Sequence, residues 1–400
     1  MKRRFAWLNS VHELDAAQWQ TLWRSDYPFV QQAFLAALED SGCTTQETGW
    51  QPRHLAVFES SVDDKGGESE TCIALMLGFI KTHSYGEYVF DWGWADAYHR
   101  SGRQYYPKWI SAIPFTPARG PRLANLKHID RDELISQMRE QLNVYAQQQN
   151  LSGWHCLFPE SELYEKLQGD AQHNSGSLVR TGCQFHWHNA GSQQANYSNF
   201  DDFLASFNSR KRKSLKKERQ QVKNSGVELE RLVGEEIKET DWDNFYRFYH
   251  TTYLKRSGNT GYLNREFFQA LAQDCAEQVL LVKAEKNGNM IAGALYFFDK
   301  ETLYGRYWGC DQEIPGLHFE ACYYQGIEFA IERDLSRFDP GAQGEHKIQR
   351  GFEPTLTYSN HWLAEPMFFD AVEDFLHRET EGVMAYQKEC AELLPFKKAE

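Results

Sequence analysis

The 400-residue sequence has no long hydrophobic run: its longest apolar stretch, Cys72 to Ile80, is ended by Lys81. That is about half of the ~20 residues needed to cross a bilayer, so no membrane span is expected. The basic start Met1-Lys2-Arg3-Arg4 is followed only by Phe5 to Leu8 before Asn9 and Ser10, too short for the core of a signal peptide, and secretion is not expected. None of the eight cysteines forms a Cys-x-x-Cys pair. A zinc ribbon is thereby excluded, and reduced thiols in a cytoplasm are the expectation. With only 12 Pro and 28 Gly, the chain is neither fibrous nor disordered. Positive charge is not in excess either: 43 Lys+Arg against 56 Asp+Glu leave a net charge of −13. No DNA partner is expected, and any polyanion site must be local. What the sequence has in quantity is aromatics, 12 Trp, 20 Tyr and 26 Phe, which build packed walls with polar tips and can line substrate grooves.

The length suits two or three domains, and an internal repeat favours two. Ile73 to Ile80 and Ile291 to Phe298 read as buried strands. Each is followed by a turn and by a strand bearing Tyr-Gly-x-Tyr, namely Tyr85-Gly86-Glu87-Tyr88 and Tyr304-Gly305-Arg306-Tyr307. In the second half, Val227 to Val233 alternates as a strand and Asp241 to Arg256 reads as a helix. A further helix runs from the cap Asn264 to Cys275. Strands Val279 to Ala284, Met290 to Phe298 and Leu303 to Gly309 follow, with Asn287-Gly288 as the first hairpin turn. Gly316 to Asp334 is a helix burying Leu317, Ala321, Tyr324, Ile327 and Ile331; strands Arg337 to Asp339 and Leu356 to Leu363 close the sheet. The first half fits the same order with helices Phe29 to Leu38, Ala95 to Tyr106 and Asp132 to Gln148, and strands His54 to Phe58, Ile73 to Ile80 and Tyr85 to Asp91. The polar stretch Asn189 to Asn199, with Gln193 and Gln194, marks the boundary. The domains are then 1–190, 191–365 and a helical tail 366–400 that packs back on the body.

The segment Ser209-Arg210-Lys211-Arg212-Lys213-Ser214-Leu215-Lys216-Lys217-Glu218-Arg219, closing at Gly226-Val227, resembles the opening of the second domain of FemAB-like aminoacyltransferases. Ile291-Ala292-Gly293-Ala294-Leu295, Tyr304 to Tyr307 and Gly344-Glu345-His346-Lys347-Ile348-Gln349-Arg350-Gly351-Phe352 continue the likeness in order. Phe90-Asp91-Trp92, Tyr105-Tyr106-Pro107-Lys108 and Pro114-Phe115-Thr116-Pro117 resemble a branch known as predicted peptidoglycan biosynthesis or N-acyltransferase proteins. The resemblance implies an α/β (α+β) fold of two tandem GNAT-like domains, each a mixed central sheet flanked by helices, plus a C-terminal helix. It also implies transfer of an acyl or aminoacyl group to an amine, of a small molecule or a peptidoglycan precursor. No cofactor is expected to be tightly bound; the donor is aminoacyl-tRNA or acyl-CoA. The turn Gln312-Glu313-Ile314-Pro315-Gly316-Leu317-His318 departs from the Gln/Arg-x-x-Gly-x-Gly/Ala cradle that acetyl-CoA users carry, and acetyl-CoA is disfavoured.

Acyl transfer to an amine needs positive or N–H character where the oxyanion forms and a group to take the amine proton. Lys347 matches the family's lysine and is the oxyanion candidate, with His346 and Glu345 as proton acceptors. The competing reading is a solvated Glu345/Lys347 loop pair and a packed histidine. Tyr304, Arg306, Tyr307 and Glu320 are substrate-binding candidates, against ordinary cross-strand packing. Residues 210 to 223 carry eight Lys/Arg and one acid, a local +7 that leaves −20 elsewhere. Within the basic helix 209–223, Lys211, Arg212 and Lys216 are candidates to hold phosphates of tRNA, CoA or a nucleotide-linked precursor; the alternative is a solvated helix. His186 and His188 share a strand face and are read as a hydrogen-bonded pair on an exposed sheet, with no metal. A catalytically silent precursor-binding protein, an N-acyltransferase using acyl-CoA on a small amine, and an RNA-binding protein are the alternative functions.

Overall fold

The computed structural model describes residues 3–62, 68–169, 176–190, 195–342 and 344–397. The chain forms two compact units, Met1–Gly182 with Leu356–Met384, and Cys183–Thr355 with Ala385–Glu400. The polar stretch taken as the boundary includes residues 191–194, which lie outside the described residues, Gln193 and Gln194 among them.

The first unit contains β1 (Arg3–Leu8), β2 (Trp50–Pro52), β3 (His54–Val62), β4 (Glu68–Met76), β5 (Phe79–Lys81), β6 (Lys108–Ser111), β7 (Leu123–Asn125) and β8 (Gly153–Leu157). One sheet, β1-β3-β4-β7, is antiparallel throughout. In the other, β2, β5, β6, β8 and the closing strand Glu353–Leu363 lie side by side, and only the β6–β8 pair is parallel. Register sets Trp109 beside Trp154 and Trp154 beside Trp362, all three buried. Helices α1 (Ala16–Trp23), α2 (Gln32–Asp40), α3 (Trp92–Arg100), α4 (Arg131–Gln148) and α5 (Ser161–Gln168) belong to this unit. Met138 and Leu142 of α4 share its core with Phe368, Phe369, Val372 and Leu376 of the long final helix Pro366–Glu392. A buried Phe or Leu contributes about 1.5–3 kcal/mol, which is why that helix packs instead of standing free.

The second unit takes β9 (Leu178–His188) from Cys183 onward, then β10 (Glu228–Val233), β11 (Val279–Lys286), β12 (Asn289–Phe298), β13 (Thr302–Cys310) and β14 (Arg337–Asp339). Strands β10 to β13 form an antiparallel ladder, β14 joins β13 in parallel, and β9 pairs antiparallel with β14. The β11–β12 hairpin turns on Asn287 and Gly288 at φ 53° and 73°, the left-handed pair whose twist matches the flanking strands. A bulge at Leu295/Tyr296 interrupts the β12–β13 ladder. Helices α6 (Phe200–Ala205), α7 (Ser209–Asn224), α8 (Glu239–Ser257) and α9 (Arg265–Asp274) precede β11. Asn264 caps α9 by accepting from the Phe267 N–H, as expected, and Asn208 caps α7 through the Lys211 N–H. Helix α7 buries only Leu215 and Val222, two turns apart on one face.

Some elements differ from expectation. Tyr85 to Asp91 is a loop, because Gly86, Tyr88 and Phe90 adopt φ of 80°, 61° and 57° and buried Lys108 draws Ser84, Glu87 and Asp91 inward. The two Tyr-Gly-x-Tyr tetrads therefore differ: Tyr304 to Tyr307 lies on β13, the other on a loop. The helix expected from Ala95 to Tyr106 runs from Trp92 to Arg100 and ends at Ser101 and Gly102, the latter at φ 74°. Residues 28–30 form a 3-10 turn before α2, so the helix expected from Phe29 starts at Gln32. The helix from Gly316 is divided into α10 (Leu317–Phe319), a π-helical segment Glu320–Tyr324 and α11 (Gln325–Glu332). The Tyr296 hydroxyl donates to the Ala321 carbonyl there, an outside donor of the kind that widens a helical ladder. His186 is buried and bonded to Gln184 (3.2 Å), not paired on an exposed face. Among the described residues no helix is long and apolar enough to cross a membrane.

Candidate functional site

Lys347 lies on the 3-10 turn Glu345–Arg350, entered through Gly344 at φ 119° and left through Gly351 at φ 85°. Both glycines hold conformations that side chains rarely adopt, so the turn can fold sharply and point Lys347 inward. Its Nζ donates to the carbonyls of Gly341 (2.7 Å) and Pro340 (3.4 Å), and the side chain is buried. Burial pushes its pKa down to about 7, with Asp339 opposing and Arg306 adding to the fall. Lys347 thus gives up its proton far more readily than an exposed lysine would.

Beside it, Arg306 on β13 and Asp339 on β14 form a buried ion pair, 3.1 Å at the nearer contact. Asp339 also accepts the Gly341 N–H (2.9 Å) and faces His186 at 3.8 Å. Burial drives its carboxyl upward, but Arg306, His186 and that N–H outweigh burial and hold it well below the usual carboxylate range.

A pocket of about 110 Å³ opens here, walled by β12 at its bulge, by β13, by Pro340 and by His318, Cys322 and Tyr323 on and before the π-helical segment. Arg306 and Tyr307 line it; Tyr304 instead donates its hydroxyl to Asp299 (2.8 Å). His318 is a polar wall residue with no signal of its own in the sequence beyond its place in the Gln312 to His318 turn. Burial, followed by Arg256 and His346, lowers its pKa to about 4, so it is neutral. His346 accepts from or donates to the Tyr323 hydroxyl at 2.9 Å. Its pKa is lowered by burial and then by Lys347 and Arg350, which makes it neutral at pH 7. Glu345 is exposed and receives the Tyr386 hydroxyl (2.8 Å), away from Lys347.

The basic helix α7 is bonded to the Lys347 turn. Lys211 reaches Gln349, Glu218 accepts from Arg350 (2.8 Å), and the Tyr324 hydroxyl donates to the same Glu218 carboxylate. Arg219 turns inward to Glu320 (2.7 Å) and Glu328 (2.6 Å), which commits Glu320 to a buried ion pair. Lys216 meets Asp201 at 3.0 Å on the surface, and Arg212 is half-buried. Arg210, Lys213 and Lys217 are exposed and make no ion pair among the described residues. They fall on one helical face by their spacing of three and four. Among the described residues no group of three His, Cys, Asp or Glu is gathered for a metal.

The family model for FemAB-like proteins, described as peptidoglycan biosynthesis/recognition, matches residues 10–398. No curated protein sequence matches the chain. Solved structures similar to it include the C-terminal domain of a putative lysylphosphatidylglycerol synthetase from Agrobacterium fabrum, at 9% identity, covering 91% of this chain and 96% of that one with a TM-score of 0.51. A conserved protein of unknown function from Bacteroides thetaiotaomicron VPI-5482 matches at 12% identity, with 90% and 99% covered and a TM-score of 0.50. FemX matches at 12% identity, with 93% and 100% covered and a TM-score of 0.50. At such identities the likeness is one of fold: the tandem GNAT-type arrangement, mixed sheets with flanking helices and a long C-terminal helix.

Proposed function

The chain belongs to the FemAB-like family, whose relatives are aminoacyl- and acyltransferases, and on that premise we propose that it moves an acyl or aminoacyl group onto an amine in the second unit. The observation that carries this reading is a buried lysine, Lys347, on a turn bonded to the basic helix and held to the carbonyl of Pro340, which walls a small pocket. The pocket takes the acyl end of the donor. The exposed face Arg210, Lys213 and Lys217 takes its phosphates, from aminoacyl-tRNA or acyl-CoA. The acceptor nitrogen attacks the donor carbonyl carbon, and the charged form of Lys347 stabilises the oxyanion of the tetrahedral intermediate. Neutral His346, in contact with the pocket through Tyr323, takes the proton that the nitrogen loses. Collapse of the intermediate forms the amide and breaks the bond to the CoA sulfur or the tRNA ribose oxygen; that leaving group receives the proton. A peptidoglycan-precursor amine is the acceptor class that the family description supports.

The test incubates the protein with acyl-CoAs or charged tRNA and amine acceptors, with product mass as the readout. Lys347→Met is expected to lower turnover about 100-fold or more. Full turnover by a folded variant would remove Lys347 from the mechanism, and binding of donor and acceptor with no product would favour a silent binding protein.

A further inference from the structure

The ammonium of Lys347 is held by a turn outside its own element. Nζ donates to the carbonyls of Gly341 (2.7 Å) and Pro340 (3.4 Å), the two residues that follow β14. An ammonium has three N–H donors, and the third has no hydrogen-bond partner among the described residues. Where the lysine sits therefore depends on where those two carbonyls point. Pro340 fixes its own φ, and Gly341 stands at φ 92°, a backbone that glycine adopts without strain. Asp339, the last residue of β14, accepts the Gly341 N–H on Oδ1 (2.9 Å). A bond to the backbone two residues on is the local turn that aspartate favours.

Asp339 is itself fixed by β13. Arg306 Nη2 meets the other carboxylate oxygen, Oδ2, at 3.1 Å, and Arg306 Nη1 donates to the carbonyl of Gly305 (2.8 Å). Nη1 also comes within 3.4 Å of the Asp339 carbonyl and of Oδ1. Gly305 lets the strand lie this close to the turn. A Cβ there would sit 3.4 Å from the Pro340 Cα and 3.2 Å from Cε2 of Phe338, tighter than packed carbons prefer. The glycine and the arginine of the tetrad Tyr304-Gly305-Arg306-Tyr307 thus both bear on the Pro340–Gly341 turn.

The groups that face Lys347 from the elements around it are Asp339 on β14, Arg306 on β13, Cys322 on the π-helical segment, His186 on β9, His318 on α10 and His346 on its own turn. Burial keeps the Cys322 thiol protonated and lowers all three imidazoles, so these four are neutral at pH 7. After burial itself, the charges that act on Lys347 are Asp339, which favours the ammonium, and Arg306, which opposes it.

We propose that Asp339 is a positioning residue for Lys347: its carboxylate, oriented by Arg306, fixes the Pro340–Gly341 turn, and the carbonyls of that turn hold the ammonium beside the pocket wall with one N–H to spare. The inference rests on the acyl-transfer reading for the task of Lys347, and on the turn alone for how the lysine is held. Asp339 touches no substrate in this scheme; it acts through Gly341.

NMR titration of the whole chain carrying ¹³Cε-labelled lysine tests this, with Lys347→Met identifying the Lys347 signal. Asp339→Asn keeps an oxygen for the Gly341 N–H but loses the charge, and the midpoint of Lys347 should fall by about one pH unit or more. Arg306→Gln should raise it by about as much. Each single variant strands a buried charge and can fail to fold, so two variants lacking both charges accompany them. Asp339→Asn/Arg306→Gln still offers Gly341 an acceptor, and its midpoint should stay within about half a unit of the parent's. Asp339→Ala/Arg306→Gln offers none. Its midpoint should rise by about one unit or more as the released ammonium meets water, and kcat should fall about tenfold with KM within about twofold of the parent's. Equal midpoints in the two double variants would overturn the proposal, and so would an unmoved midpoint in folded Asp339→Asn and Arg306→Gln. Should Lys347→Met keep full turnover, the acyl-transfer role of Lys347 fails, and the midpoints alone decide whether Asp339 positions it.

Discussion

Arg306 and Asp339 are bonded to each other with both side chains 2% exposed, and they join β13 to the end of β14 beside Lys347. Removing one member of such a pair strands the other charge out of water. Asp339→Ala should therefore cost about 3–5 kcal/mol in urea unfolding, and replacing both partners with apolar residues should restore much of it. The sign with pH follows from the depressed carboxyl: its contribution is present above the ordinary carboxylate pKa and is lost as the pH falls toward the folded value. The variant should accordingly be less sensitive to acid than the parent.

Lys347 gives a dependence of the same sign in a higher pH window. Its pKa falls from 10.5 to about 7 on folding, so between those values the unfolded chain holds more protons than the folded one. Stability contributed at this position then rises with pH across that window, by about 1.4 kcal/mol per pH unit at most. The Tm of the parent measured against Lys347→Met should shift in the parent's favour from pH 7 to pH 10. A constant difference would mean that Lys347 is charged in the folded state throughout.

How much of this was legible differs by element. The β11–β12 hairpin, the Asn264 cap and the buried face of the helix after Gly316 depend on neighbours within a few residues, and the sequence pattern places them. The Tyr85 to Asp91 loop does not, because its path is decided by Lys108, far along the chain, and local alternation of aromatics imitates a strand. The phrases containing Asp91, Tyr105 and Lys108 carried the family likeness, but only the fold shows that they meet in one buried cluster. Lys347 stood out in the sequence; its burial depends on the carbonyls of Pro340 and Gly341. His318 lacked any pattern because its role as a pocket wall arises from β12 and β13 across the sheet.

The exposed face of α7 predicts a salt response. If Arg210, Lys213 and Lys217 hold phosphates, the affinity for tRNA or CoA should fall steeply as salt rises. For tRNA, replacing all three by alanine should reduce the log–log slope by about 2–3, near one counterion for each lost contact. Lys216→Ala, already paired with Asp201, should change it less. A flat salt response in the parent would return the helix to a solvated surface role.

Gly326 offers a test of packing in the second unit. It lies in α11, where alanine would ordinarily gain about 1 kcal/mol over glycine. A Cβ at this position would sit 2.7 Å from Cε1 of Phe338 and 3.1 Å from Cε1 of Tyr296. Neither ring can give way easily. Phe338 is completely buried, with its ring 5.4 Å from that of Phe352, and the Tyr296 hydroxyl is tied to the Ala321 carbonyl. Overpacking of a filled core costs about 1–3 kcal/mol, which outweighs the helical gain. Gly326→Ala should therefore lower the Tm, and pairing it with Phe338→Leu should recover part of the loss; a single variant as stable as the parent would show that the rings have room to move.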